Sequence, residues 1–236
     1  MPGYILHLLH GKMFLEQYSR SFSDTEKKQF AMGLLMPDSN KANKIREDHS
    51  HFFAPEQAGQ ILQYPDLKRF PYYEQINEPF VLGYAAHLYL DRYFFSDFFL
   101  RYVRFLDHEK RETLTESEVE YAELKQSGQC LTVQQLFSED YLYGDYTMLN
   151  RFIVDKYGIE PVAKVPVDHP VREVDTANFE AVQIQLDRFL AESTGSTEMH
   201  VFAIGALEDA IAQYAYGFGQ WVDGINCVLQ KHIKGV

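Results

Sequence analysis

Apolar positions recur along this chain three and four residues apart, in one segment after another, which is the spacing of helices that bury one face. Residues 4–19 carry Ile5, Leu8, Leu9, Met13 and Tyr18 on a mainly apolar face and predict a first helix. Ser23-Asp24-Thr25-Glu26 is a capping box: the serine oxygen and the glutamate three residues on satisfy each other's backbone amides, so a second helix starts there and runs to about Leu35. Pro37-Asp38-Ser39-Asn40 then predicts a stop, because proline pushes its predecessor out of the helical region. A short helix is expected over 56–64, and Pro65, Pro71 and Pro79 punctuate a loop-rich stretch after it. Residues 79–106 predict one long helix that is apolar on nearly every side.

The charged run 109–126 reads as a solvated excursion or an exposed helix. Residues 132–137 predict a turn of helix. Ser138 is expected to cap a further helix that ends at Tyr157, with Gly158 just past its end. Pro161, Pro166 and Pro170 among valines predict an extended crossover over 159–175, and helices over 179–192 and 199–233 complete the chain. With no internal repeat and no strand alternation, the expected fold is all-α: a single-domain multi-helix bundle over residues 1–236.

Composition narrows the function classes. Eighteen Phe and 16 Tyr demand a large packed interior. A net charge of −12 argues against affinity for duplex nucleic acid or anionic membranes, which reward clustered Lys and Arg. Cys130 and Cys227 make no CxxC pattern, which disfavours thiolate metal sites and disulfides and suits a reducing cytoplasm. The first residues do not resemble a signal peptide, and Arg92, Asp97 and Arg101 interrupt the best apolar run, so no transmembrane segment is expected. A cytoplasmic protein is the expectation; oligomeric state is not legible.

Two polar residues break the apolar pattern where it is richest. His87 and Asp91 are four apart, on one helix face, and burying them is unfavourable unless they pair, hydrogen-bond or hold a metal. An internal pair is one reading. His7, Asp38 and His51 extend the set to three imidazoles and two carboxylates, donors that suit zinc, manganese or iron(II) and exceed the needs of one tetrahedral ion. Clusters of two or more such ions hydrolyse phosphate esters. Taken singly, His10 reads as a core histidine or a neighbour of the ligands. Asp38 could merely cap a turn, and Lys41, Lys44 and Arg46 could be a solvated face or could meet a phosphate.

The order of these motifs, His7-Leu8-Leu9-His10-Gly11, Pro37-Asp38-Ser39, His51-Phe52 and Gly83-Tyr84-Ala85-Ala86-His87-Leu88-Tyr89-Leu90-Asp91, resembles the bacterial zinc-dependent phospholipase C family over roughly the first hundred residues. The resemblance implies an all-α fold and a three-zinc cluster of the kind shared with zinc-dependent single-strand nucleases. His7, Asp38, His51, His87 and Asp91 would then be ligands, and Asp38 would bridge metals or orient the attacking water. The chain departs from the family in three ways. Its only tryptophan is Trp221, whereas the family's mature chain opens on a metal-binding tryptophan. Asp97 stands near where the family has another histidine. The family's last His and acidic pair is matched in spacing only by His108 with Glu112, and Asp145 is the preferred substitute. The expected function is zinc-dependent hydrolysis of a phosphoric ester by metal-held hydroxide, using two or three zinc ions, with manganese or iron as possible replacements. The substrate would be a small phosphate ester or a lipid headgroup. The rival is a non-catalytic helical protein whose metal is a structural staple or a sensor.

Overall fold

The computed structural model describes residues 3–18, 20–45, 49–192 and 198–234. Helix α1 (Tyr4–Gln17) is buried from Tyr4 through Gly11 on all sides, as its high apolar content requires. Helix α2 (Asp24–Leu35) starts at the expected capping box, with Ser23 N donating to Glu26 Oε2 at 2.9 Å and Glu26 N to Ser23 Oγ at 3.3 Å. The chain does not stop at Pro37. It tightens into a 3₁₀ turn (Met36–Asp38) and continues as α3 (Ser39–Ala42), since proline near the start of a new turn gives up no needed amide.

The central helix is α4 (Pro79–Tyr93), buried continuously from Phe80 to Asp91. It lies so close to α2 that a Cβ on Gly33 would fall 2.1 Å from the Phe80 carbonyl oxygen, and one on Gly83 would fall 2.1 Å from that of Phe30. Only glycine permits that approach. The helix predicted to reach residue 106 instead opens into a π-helical turn at Phe94–Phe98, reforms as α5 (Phe99–Tyr102) and passes into a strand.

That strand corrects the all-α expectation. β1 (Val103–Leu106), β2 (Tyr121–Leu124) and β3 (Gln129–Thr132) form a three-stranded antiparallel sheet in the order β1-β2-β3, pairing Val103 with Leu124 and Tyr121 with Thr132. The fold is mainly helical with this small sheet attached. The charged run 109–126 is thus partly the hairpin connection and partly β2, whose Ala122 and Leu124 are buried.

Two further expectations fail locally. Residues 56–64 hold only a 3₁₀ turn at Pro55–Gln57, which Gly59 terminates in the left-handed region at φ 78°. Ser138 does not cap the next helix; its hydroxyl donates to the Gln135 carbonyl, and α7 (Leu142–Tyr157) begins beyond it after α6 (Val133–Leu136). Gly158 does end α7, at φ 60° and ψ 50°. The crossover 159–175 has no helix or strand and leads to α8 (Phe179–Ala191) and the long α9 (Ile204–Lys234). Buried side chains from α1, α2, α4, α7, α8 and α9 share one hydrophobic core, and the polar cluster described next lies inside it. Among the described residues, no helix is long and apolar enough to cross a membrane.

Candidate metal centre

Four elements deliver five polar side chains to one point. α1 supplies His7, the 3₁₀ turn after α2 supplies Asp38, the loop before Phe52 supplies His51, and α4 supplies His87 and Asp91. None is more than 4% exposed. His7 Nε2 lies 3.3 Å from Asp91 Oδ1, His87 Nε2 3.5 Å from Asp91 Oδ2, and His51 Nε2 3.6 Å from both Asp91 Oδ2 and Asp38 Oδ1. The Nε2 atoms of His51 and His87 face each other at 3.3 Å.

These spacings test whether an ion fits. Metal bonds of 2.0–2.2 Å from nitrogen and oxygen donors put neighbouring ligands of a tetrahedral ion about 3.3–3.6 Å apart. The observed separations fall in that interval. Two triads, His7 with His87 and Asp91, and Asp38 with His51 and His87, each keep their donor atoms within 4.8 Å of one another. His87 belongs to both, yet one ring nitrogen has one lone pair. Asp91 has two oxygens to share, one toward His7 and the other toward His51 and His87.

Tautomers, inferred from hydrogen-bond partners, point the same way. His87 Nδ1 lies 2.8 Å from the Leu34 carbonyl oxygen and must donate to it. Ser50 donates its hydroxyl to the Pro37 carbonyl at 2.8 Å, so at 2.9 Å it accepts from His51 Nδ1. When both rings are neutral, each turns an unprotonated Nε2 into the cluster, where the two lone pairs confront each other unless a proton or a metal ion lies between them. Asp38 Oδ1, Asp91 Oδ1 and both nitrogens of His7 are buried without an aligned hydrogen bond. Buried carboxylates left so are strongly disfavoured. Divalent cations at these triads would engage Asp38, Asp91 and His7 Nε2, so the buried His and Asp groups can hold a metal.

The metal-free electrostatics express the same strain. Burial opposes charge on Asp91, but His87 and His7 beside it outweigh that and hold its carboxyl well below the ordinary range. Burial would lower His87, yet the Asp91 charge raises it overall. Burial, reinforced by His87 stacked on it at 3.7 Å, lowers His7. His10, one turn from His7 and fully buried near the backbone of Tyr214, is pushed down to about 3, chiefly by burial, and stays neutral.

A cavity of about 440 Å³ reaches the cluster from the side of Asp38, with Tyr4, Lys41, Tyr146, Gln185 and Arg188 in its wall. Lys41 was legible as a candidate cation; Arg188 was not. Lys44 is absent from this wall, and Arg46 lies outside the described residues.

Asp145 is not part of the cluster. Its carboxylate accepts the backbone amides of His200, Val201 and Phe202 at 2.8, 2.7 and 3.1 Å and so anchors the loop before α9. A carboxylate saturated by three amides has no reason to leave them for a metal. Asp97 sits in the π-helical turn, bonded to Arg101 and to Tyr214, and His108 is exposed beside Glu109. Tyr146 of α7 shares the cavity wall with Asp38, and sequence reasoning passed over it in favour of its neighbour. The Leu34 carbonyl and Ser50 were also missed, the first because a backbone group leaves no trace in a residue pattern. No family model, curated protein or solved structure significantly matches the chain.

Proposed function

We propose that the chain is a metal-dependent hydrolase of phosphoric esters, phospholipase C-like in its ligand set, with zinc as the ion. The observation that carries this reading is the convergence of His7, Asp38, His51, His87 and Asp91, with orphaned donor atoms, beside a cavity of about 440 Å³ that Asp38 lines. Bound there, zinc would supply Lewis acidity toward a phosphoryl oxygen and would acidify water. The chain's own residues do the rest. Lys41 in the cavity wall can meet an anionic ester, whereas Arg188 beside it is paired with Glu192 at 3.2 Å. Asp38 lies in that wall, so the oxygen that its metal contact leaves over can orient the attacking water and take its proton. Leu34 and Ser50 lock the rings of His87 and His51, sparing the site reorganisation during the reaction.

The complete burial of His7 and His87 favours a second reading, in which an ion at that end is a structural staple. Elemental analysis of purified protein, followed by a panel of phosphate mono- and diesters with and without chelator, separates the two. Bound zinc with chelator-sensitive turnover supports the hydrolase. Bound zinc without turnover, with unfolding on chelation, supports the staple. Metal retained at full stoichiometry after His87→Ala with Asp91→Ala would sink both.

A further inference from the structure

Tyr146 is the residue of α7 whose environment the fold leaves incomplete. Its hydroxyl is shut off from solvent and has no hydrogen-bond partner among the described residues, although its ring lines the cavity that also carries Asp38. Asp145, the preceding residue on the helix, points to the 200–202 amides, and about 100° of helical rotation brings Tyr146 to the cavity wall it shares with Asp38. Phe202 packs at its ring, with centroids 6.1 Å apart, and supplies no polar group there. A buried phenol without a partner is disfavoured, and such groups in native folds call for an explanation.

We propose that the Tyr146 hydroxyl donates a hydrogen bond to a phosphoryl oxygen of the substrate held at the metal cluster on its Asp38 side, which makes it a catalytic residue. This rests on the hydrolase reading above. Burial and the Asp91 charge raise the phenol, so it keeps the proton it must donate. A neutral donor preset at the place where negative charge gathers stabilises the transition state without reorganising. The probe is the tetrahedral oxyanion itself, inorganic phosphate.

The test compares wild type with Tyr146→Phe, both reconstituted with zinc. Three quantities are measured: metal content by elemental analysis, phosphate affinity by calorimetry, and thermal unfolding. Because the hydroxyl has no partner in the free protein, Tyr146→Phe should keep its metal and its melting temperature. Phosphate binding should weaken about tenfold to a hundredfold, the loss expected for a hydrogen bond to a charged group. Unchanged phosphate affinity overturns the inference. So does loss of zinc, which would make the hydroxyl a ligand, or a lowered melting temperature, which would mean an internal partner. Wild type that holds zinc but binds no phosphate overturns the hydrolase reading and this inference together. Wild type and variant that both bind phosphate equally overturn this inference alone.

Discussion

At the scale of single residues, Asp91 holds the site together, because one of its oxygens faces His7 and the other faces His51 and His87. Asp91→Asn keeps the shape and removes the charge, and it should abolish metal uptake at the triad with His7 and His87 and weaken it at the triad of Asp38, His51 and His87, which its other oxygen faces; full retention in elemental analysis would show that the ligands lie elsewhere. Loading should also depend on pH. His87 is raised in the metal-free protein by Asp91, against the effect of burial, and must lose its proton to bind metal. Affinity should therefore fall as pH drops through that raised value, with proton release visible as buffer-dependent binding enthalpy. His10 has the opposite sign. Its folded value of about 3 lies below the ordinary histidine value, so acid protonates the unfolded chain first and destabilises the fold. In metal-free protein, His10→Leu should remove about 2 kcal/mol of the stability lost between about pH 6.5 and about pH 5. Urea unfolding at the two pH values checks this, and equal losses in both proteins would refute it.

At the scale of elements, the register of α2 against α4 sets the site, since Leu34 on one holds His87 on the other. Gly83→Ala would push a methyl into the Phe30 carbonyl, an obstacle that is backbone and cannot swing away. A loss of about 1–3 kcal/mol follows, with weaker metal affinity, measured by denaturant unfolding and calorimetry. Asp145→Asn should separate stability from metal binding. It gives up a carboxylate that accepts three backbone amides, two of them buried, so it should destabilise by about 2–4 kcal/mol while metal content stays constant. The elements that could be read from sequence carry local signals, such as the Ser23 and Glu26 box, Gly158 past α7 and the apolar helix around His87. The sheet was illegible because each strand is four residues long, too short for alternation to stand out, and Val103 and Phe105 continue the apolar run of the helix before them. The five clustered polar residues were legible as residue types of one chemistry in order. Asp145 misled because the same carboxylate that can bind a metal can also cap amides, and only tertiary placement decides between them.

At the scale of the whole molecule, the cluster joins the segments around residues 7, 38, 51 and 87–91, which are otherwise held by apolar packing and a few hydrogen bonds, such as Ser50 to the Pro37 carbonyl and Tyr84 to the Ser50 carbonyl. An ion bound there and not to the unfolded chain stabilises by mass action, by about 4 kcal/mol when free metal exceeds its dissociation constant a thousandfold. For a chain of this size, that corresponds to a shift of about 10 °C in melting temperature. Removing the ion also leaves Asp38 and Asp91 buried with too few donors, so chelated protein should lose protection in hydrogen exchange first at the 3₁₀ turn carrying Asp38 and at the loop carrying His51. α4, buried on all sides by the core, should hold longest. Hydrogen exchange of zinc-loaded and chelated protein tests the order directly. Uniform deprotection would mean that the ion supports the whole bundle as a staple. Confinement of the change to the cavity-side elements would mean that the core folds without it, leaving the metal free to serve chemistry at the cavity.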